Sequence, residues 1–256
     1  MNRLRSAELD GLRAIAVLLV LWSHSGNIEI GLNGYDGVVL FFVISGFLIT
    51  RILLGARTAA AEQGVPRRAV LRAFYARRFL RIFPLYYAVL FLAFVIGAAS
   101  IRAALPWHLS YLSNWYFCYG GKLDLSHAGH LWSLAVEEQF YILWPWFALL
   151  LRTAALPWAI GAMILTGPLY RFAIAAGGFN DGLIWMSTPA VFDALGIGCL
   201  LAYLWQNSAS AGRIARGALI AGILLVALQQ ANSLLAMPKP VFSVIYSVSS
   251  IPWAGN

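Results

Sequence analysis

Two adjacent glutamates, Glu137 and Glu138, interrupt the apolar stretch "HLWSLAVEEQFYILWPW". A carboxyl group in apolar surroundings can exchange a proton near neutral pH, so both residues are candidates for general acid–base chemistry. On a helix their side chains point about 100° apart, so that one can face a reaction site and the other a structural arginine. His130 precedes Glu137 by about two turns on the same helix face, roughly 10 Å away along the axis. The alternative is that both glutamates neutralise buried arginines.

An arginine and a histidine share one face of the first apolar segment, "ELDGLRAIAVLLVLWSH". Arg13 and His24 are separated by about three helical turns, which is roughly 16 Å along the axis. A single histidine in an apolar helix is more often a packing residue. Ionisable residues inside a membrane span are costly and usually functional, and the shared face with Arg13 favours a functional role for His24.

A pair of arginines, Arg78 and Arg81, lies on one side of the predicted helix in "RRFLRIFPLYY". Two guanidinium groups at this spacing can hold phosphates through charge-assisted hydrogen bonds. A cytoplasmic acyl donor that bears phosphates, such as acyl-CoA, would suit the pair. Contact with lipid headgroups is the alternative.

The elements that position these residues are predicted to be transmembrane helices. The 256 residues are 61% hydrophobic and only 11% charged, with a mean hydropathy of +0.75. Soluble domains carry about 25% charged residues. We therefore expect an all-α polytopic bundle, a single domain over residues 1–256, with about eight spans near the length that a bilayer requires. The predicted spans are residues 12–25, 38–54, 82–99, 131–151, 154–173, 183–204, 218–233 and 241–253.

The basic residues predict the orientation of these spans. With a cytoplasmic N-terminus, 14 of the 18 lysines and arginines fall on the inner side, as the positive-inside rule requires. This topology accounts for the net charge of +8 without a nucleic-acid partner. Residues 55–81 form the most basic inner segment. Its second half is predicted to be an amphipathic helix on the cytoplasmic leaflet, and a simple topology anchor is the alternative.

Aromatic and small residues mark two further regions. The predicted outer segment 100–130 is rich in rings that favour the membrane interface and that can also stack on sugars. These rings are Trp107, Tyr111, Trp115, Tyr116 and Tyr119. Within the second span, Ser45 and Gly46 predict a close approach of another helix, and we interpret Ser45 as a packing residue. Cys118 and Cys199 are likewise interpreted as packing residues, because their spacing supports neither a zinc site nor a disulfide framework.

Four stretches together resemble the membrane-bound acyltransferase-3 family, which acylates surface polysaccharides, peptidoglycan and related acceptors. They are "LDGLRAIAVLLVLWSH", "FFVISGFLIT", "RRFLRIFPLYY" and "HLWSLAVEEQFYILWP". A weaker match, "STPAVFDALGIGCLLAY", has Val191 where many relatives have an arginine two residues before the aspartate, here Asp193. The family commonly has about ten spans, so the resemblance implies a short or truncated member.

The resemblance implies a membrane O-acyltransferase that moves an acyl group, expected to be acetyl, from cytoplasmic acyl-CoA to a hydroxyl of a carbohydrate or glycolipid. Arg78 and Arg81, with Arg13, would bind the phosphates of the donor. His24 would act as general base or as transient acyl carrier. Glu137 or Glu138 would orient a histidine or position the acceptor, and Glu137 is favoured because it shares a helix face with His130. The expected acceptor-side residues are His130, Glu138, Asp193 and Trp115.

The same resemblance implies a multi-pass protein of the bacterial inner membrane, in contact with membrane lipids. We expect no metal and no bound cofactor besides the donor substrate. Two alternatives stay open at this point: a transporter or flippase for a lipid-linked sugar, and a non-catalytic membrane scaffold. Inverted repeats would favour the transporter, and a scaffold would not need Arg13 and His24 on one face.

Overall fold

A computed structural model describes residues 4–24, 34–120 and 130–207 of the chain, with side chains described over 11–21, 35–98, 101–120 and 130–207. These parts consist of helices and turns, and they contain no strand. The helices are α1 (Leu4–His24), α2 (Gly34–Glu62), α3 (Arg67–Val95), α4 (Ala99–Ala103), α5 (Leu105–Leu109), α6 (Ser113–Cys118), α7 (Leu131–Leu150), α8 (Leu156–Ala176), α9 (Asp181–Met186) and α10 (Phe192–Asn207).

Four helical segments of the described part are long and apolar enough to cross a membrane: Tyr35–Glu62, Arg67–Val95, Thr153–Ala176 and Thr188–Asn207. The all-helical class is therefore confirmed, whereas the predicted count of eight spans is not. Helix α7, with 20 residues, is not among these four; it carries Glu137, Glu138 and Gln139 in succession. The predicted spans 218–233 and 241–253 lie outside the described residues.

The predicted boundaries of the third span are wrong. Helix α3 runs without a break from Arg67 to Val95. The basic stripe, by which we mean the arginine-rich residues 67–81, therefore forms one helix with the apolar residues that follow it. The break lies earlier, at a turn where Gly64 has a φ of +67° and Pro66 caps the helix. Leu71 and Phe74 of the basic stripe are buried in the main core. The membrane-surface position of segment 55–81 stays a prediction.

The predicted span 183–204 is not one continuous helix. Helix α9 ends at Met186, a 3-10 turn covers Thr188–Val191, and α10 begins at Phe192. Proline lacks a backbone N–H and disfavours a helical residue before it, which explains the interruption at Pro189. The break lets Asn114 reach the polar groups of the turn, as its amide donates to Met186 O and to Thr188 Oγ1.

Helix α2 lies in the centre of the bundle, between α1, α7 and α10. Its closest contact is with α10, where glycines face each other. A Cβ on Gly46 would lie 2.1 Å from Leu195 O, and one on Gly198 would lie 2.1 Å from Val43 O. The close helix approach predicted at Gly46 is therefore confirmed. The backbones of α2 and α10 touch directly, as small residues permit in membrane bundles.

The short helices α4–α6 form a cap that is fastened to α3 through tyrosines. Tyr86 donates to His108 O at 2.8 Å and Tyr87 donates to Leu109 O at 2.9 Å. The ring of Tyr86 stacks on Tyr111, with centroids 4.3 Å apart. Part of the aromatic segment is thus core, whereas Trp107 and Tyr119 remain exposed. Such exposed rings are of the type that stacks on sugars or sits at a membrane interface.

We predict that Gly198→Ala destabilises the bundle by about 1–3 kcal/mol, because the added methyl group meets the backbone of α2. Gly55→Ala is the matched control, since Gly55 lies in α2 and a Cβ added there would have no heavy atom of a neighbouring residue within 4 Å. The control should gain up to about 1 kcal/mol from helix propensity. Thermal unfolding in detergent measures both, and equal midpoints for the two variants would contradict the close contact.

We also predict an acid-sensitive cap. His108 is 1% exposed, and burial lowers its pKa from 6.5 to about 4. The folded state therefore favours the neutral imidazole, so this contribution to stability is complete above about pH 6.5 and is lost as the pH falls toward 4. The slope is at most about 1.4 kcal/mol per pH unit. In unfolding measurements over this range, His108→Phe should show a shallower pH dependence than the wild type. An identical slope in the two proteins would refute it.

Candidate active site

The carboxyl group of Glu137 lies at the centre of the candidate site. Its Oε1 accepts a hydrogen bond from Ser45 Oγ on α2, and Ser45 is 8% exposed. The Tyr141 side chain, one turn further along α7, also lies close to the Glu137 carboxyl group. The guanidinium groups of Arg78 and Arg13 are close enough to act on the carboxylate electrostatically. Three helices besides α7 therefore contribute to the surroundings of this single carboxylate.

The neighbouring carboxylate, Glu138, faces a different helix. Its Oε1 lies 3.6 Å from Arg78 Nε on α3, and the side chains are 5% and 19% exposed respectively. The Arg78 guanidinium also lies over the Tyr141 ring, 3.6 Å from its centroid. The two glutamates thus diverge as the helix geometry predicts, one toward α2 and the other toward an arginine. Arg78 and Tyr141 connect the two.

The predicted phosphate-binding pair is divided between two environments. Arg78 points toward α7, whereas Arg81 is exposed on the outside of α3. A groove of about 380 Å³ opens nearby between the end of α2 and the start of α3. Alanines line most of this groove, together with the guanidinium-bearing Arg77. The basic end of α3 therefore presents exposed cations while one arginine is retained inside.

The predicted pairing of Arg13 with His24 is described only in part. Arg13 is partly buried and acts on the Glu137 carboxylate. His24 is the last residue of α1, and its side chain lies outside the described residues. Helix α1 packs through Ala16 and Val20 against Gly37, near the beginning of α2. The C-terminal half of α1 therefore lies beside the N-terminal end of α2.

The predicted acceptor-side residues have varied surroundings. His130 is exposed where α7 begins, and Trp115 stacks on Tyr119 with ring centroids 6.4 Å apart. Asp193 forms an ion pair with Arg171, whose Nη2 lies 2.7 Å from Oδ2.

Arg171 explains how Asp193 is neutralised in this chain. It is 2% exposed and also donates to Ala190 O. The resemblance places Val191 where relatives have an arginine, and here Arg171 on α8 supplies a cation to the aspartate from another helix. The substrate role of Asp193 stays a prediction.

Sequence reasoning missed a buried polar network beside the glutamates. The amide of Gln139 donates to Tyr111 O at 2.7 Å and to Asn114 Oδ1 at 2.8 Å, and its Oε1 accepts from Thr188. These bonds join α7 to the cap and to the turn before α10. The signal was present, because Gln139 directly follows the two glutamates in an apolar run and is equally costly to bury without partners. Ser45, interpreted as a packing residue, was likewise missed as a partner of Glu137.

Comparisons with known proteins agree with this arrangement of motifs. A family model described as an acyltransferase domain, that of the acyltransferase-3 family, matches residues 6–254. The peptidoglycan O-acetyltransferase OatA of Listeria monocytogenes serovar 1/2a (strain ATCC BAA-679 / EGD-e) is 30% identical over 217 residues, which cover 77% of this chain and 34% of that protein. The protein named "Putative peptidoglycan O-acetyltransferase YrhL" of Bacillus subtilis (strain 168) is 34% identical over 215 residues, covering 77% of this chain and 33% of that one.

The chain thus spans about a third of the length of these relatives. No solved structure gives a significant match. The family model, however, covers nearly the whole chain and includes every residue of the network around Glu137. The chain therefore belongs to the acyltransferase-3 family.

Proposed function

We propose that the protein is a membrane O-acyltransferase that moves an acetyl group from cytoplasmic acetyl-CoA to a hydroxyl of a cell-surface carbohydrate. The observation that carries this proposal is the partly buried Ser45–Glu137 contact beside the Arg78–Glu138 pair, in a chain of the acyltransferase-3 family. The names of two relatives favour peptidoglycan as the acceptor. A multi-pass position in the inner membrane, with a cytoplasmic N-terminus, places the basic end of α3 on the side of the donor.

The reaction exchanges a thioester for an ester. The oxygen of the acceptor hydroxyl attacks the acetyl carbonyl carbon, the C–S bond breaks, and the hydroxyl proton finally resides on the released CoA thiol. His24 takes that proton as general base. Alternatively, an imidazole nitrogen of His24 first accepts the acetyl group with release of the CoA thiol, and the acceptor hydroxyl then attacks the acyl-imidazole.

Glu137 orients a histidine of the site or positions the acceptor, and Arg13 lies near it. Its carboxylate accepts a hydrogen bond from Ser45 and lies in the electrostatic field of arginines on two other helices, which suits precise orientation rather than free movement. Glu138, which also stands among the proposed acceptor-side residues, is tied to Arg78. His130, Trp115 and Asp193 complete the acceptor side in this proposal.

The donor phosphates bind at the basic end of α3. Arg81 is exposed and fits direct contact with a phosphate, whereas Arg78 reaches a ligand while it is held against Tyr141. Guanidinium groups suit this task because they donate several hydrogen bonds in a fixed geometry.

We predict that His24→Ala lowers acetyl transfer at least about 100-fold, because both versions of the reaction need its imidazole. The measurement is the transfer of labelled acetyl from acetyl-CoA to glycan in membranes. The amount of protein in the membrane fraction serves as the control for insertion. Retained transfer would remove His24 from the reaction. Transfer by the wild type itself distinguishes the enzyme from a transporter and from a scaffold, neither of which forms the ester.

We further predict that Arg81→Ala weakens binding of acetyl-CoA about tenfold, because a charge-assisted contact with phosphate is lost. The double variant Arg78→Ala/Arg81→Ala should bind more weakly still. Arg72→Ala is the matched control, since it removes one exposed arginine from the same helix, nine residues before Arg81 and on the opposite side of the helix from it. Labelled acetyl-CoA binding to the detergent-solubilised protein measures all three. Equal binding by the control and the double variant would assign Arg78 and Arg81 to lipid contact or topology.

A further inference from the structure

We propose that Ser45 is a positioning residue, whose hydroxyl holds the Glu137 carboxylate in the orientation that acetyl transfer needs. This inference rests on the function proposed above and adds a residue to it. Ser45 lies on α2 and Glu137 on α7, so the contact joins two helices that are far apart in sequence. The hydroxyl donates to Oε1; Ser45 is buried and Glu137 is partly buried.

The hydroxyl is presented from a fixed backbone. Gly46, the next residue, approaches α10 so closely that a Cβ there would lie 2.1 Å from Leu195 O. On the α10 side, a Cβ on Gly198 would lie 2.7 Å from Phe47 N. Helix α2 therefore cannot slide or rotate at Ser45 without breaking this contact. A short side chain on such a backbone sets the position of its hydroxyl within narrow limits.

The Glu137 carboxylate has a competing partner on another helix, α3. Arg78 acts on Glu137 electrostatically and lies 3.6 Å from the neighbouring Glu138. In a medium of low dielectric constant a carboxylate is drawn strongly toward a nearby guanidinium group. The Ser45 hydroxyl pulls Glu137 toward α2 and so keeps the two glutamates on separate partners. Without that hydroxyl, Glu137 would turn toward Arg78 and leave its working orientation.

The inference predicts a separation of kinetic effects. In the proposed donor site Arg81 is the exposed phosphate contact and lies apart from Ser45, and Arg78 is already paired with Glu138 whether or not the Ser45 hydroxyl is present. Loss of the hydroxyl should therefore lower the turnover rate and leave the KM for acetyl-CoA nearly unchanged. A misoriented residue in the site affects the transition state more than the binding of the donor.

The structure offers a matched control in the same helix pair. Thr50 also lies on α2, is fully buried, and accepts a hydrogen bond from Trp144 Nε1 of α7 at 2.8 Å. Thr50→Ala removes one hydrogen bond between α2 and α7, as Ser45→Ala does, but it does not touch a carboxylate. Both variants should lower the unfolding midpoint by similar amounts, so any difference in turnover reports on Glu137.

The experiment compares acetyl transfer by wild type, Ser45→Ala, Ser45→Thr and Thr50→Ala in membranes, over a range of labelled acetyl-CoA concentrations. We expect Ser45→Ala to lower kcat about tenfold or more with KM changed less than about twofold, and Thr50→Ala to retain turnover. Ser45→Thr restores a hydroxyl and should recover most of the rate. In a Glu137→Gln background, Ser45→Ala should cause little additional loss, because the two residues act as one unit.

Several results would overturn the inference. They are normal turnover in Ser45→Ala, an equal loss in Thr50→Ala, and a full tenfold loss from Ser45→Ala in the Glu137→Gln background. These results leave the acetyltransferase proposal intact, because the wild type still transfers acetyl. Absence of transfer by the wild type would instead overturn the proposed function, and the role of Ser45 in it would fall as well.

Discussion

Two adjacent carboxylates in an apolar helix constrain the whole arrangement of the bundle. A charge in such surroundings is costly unless a partner compensates it. Since Glu137 and Glu138 point in different directions from α7, they need partners on different helices. Ser45 on α2 meets the first and Arg78 on α3 meets the second. The positions of α2 and α3 around α7 follow from this requirement as much as from apolar packing.

The contacts around Glu137 and Glu138 bring together motifs from distant parts of the chain. "FFVISGFLIT" contributes Ser45, "RRFLRIFPLYY" contributes Arg78, and "SLAVEEQFY" contributes Tyr141 with both glutamates. Their side chains meet in one set of contacts, in which Arg78 lies over the Tyr141 ring. Arg13 of the first motif acts on the same carboxylate. The motif residues are thus neighbours in space, as expected of residues that serve one site.

Rigid elements surround this polar centre on two sides. The glycine contact between α2 and α10 fixes the position of α2, which carries Ser45. The hydrogen bonds of Gln139 join α7 to the cap and to the turn before α10. The ion pair between Arg171 and Asp193 joins α8 to α10. A site that must orient a carboxylate benefits from such support, because small displacements of reacting groups are costly in rate.

The helical class, the membrane solvent and the pairing of residues along single helices could be predicted from the sequence. Composition excludes a soluble fold, and the 3.6-residue period places His130 with Glu137 and separates Glu137 from Glu138. Gly46 could be recognised as a point of close approach because small residues within a span let another helix come near. These properties are local, since each depends on residues within a few turns of one another.

Only the tertiary structure decided the contacts between helices and the points where helices end. Ser45 on α2 donates to Glu137 on α7, and Arg171 on α8 forms an ion pair with Asp193 on α10. The continuity of α3 through residues 67–81 likewise depends on the neighbouring helices, which bury Leu71 and Phe74 of that segment in the main core. Such partners are distant in sequence, and no local period specifies them. The physical reason is that a buried polar group accepts whichever partner the packed bundle brings within hydrogen-bonding distance.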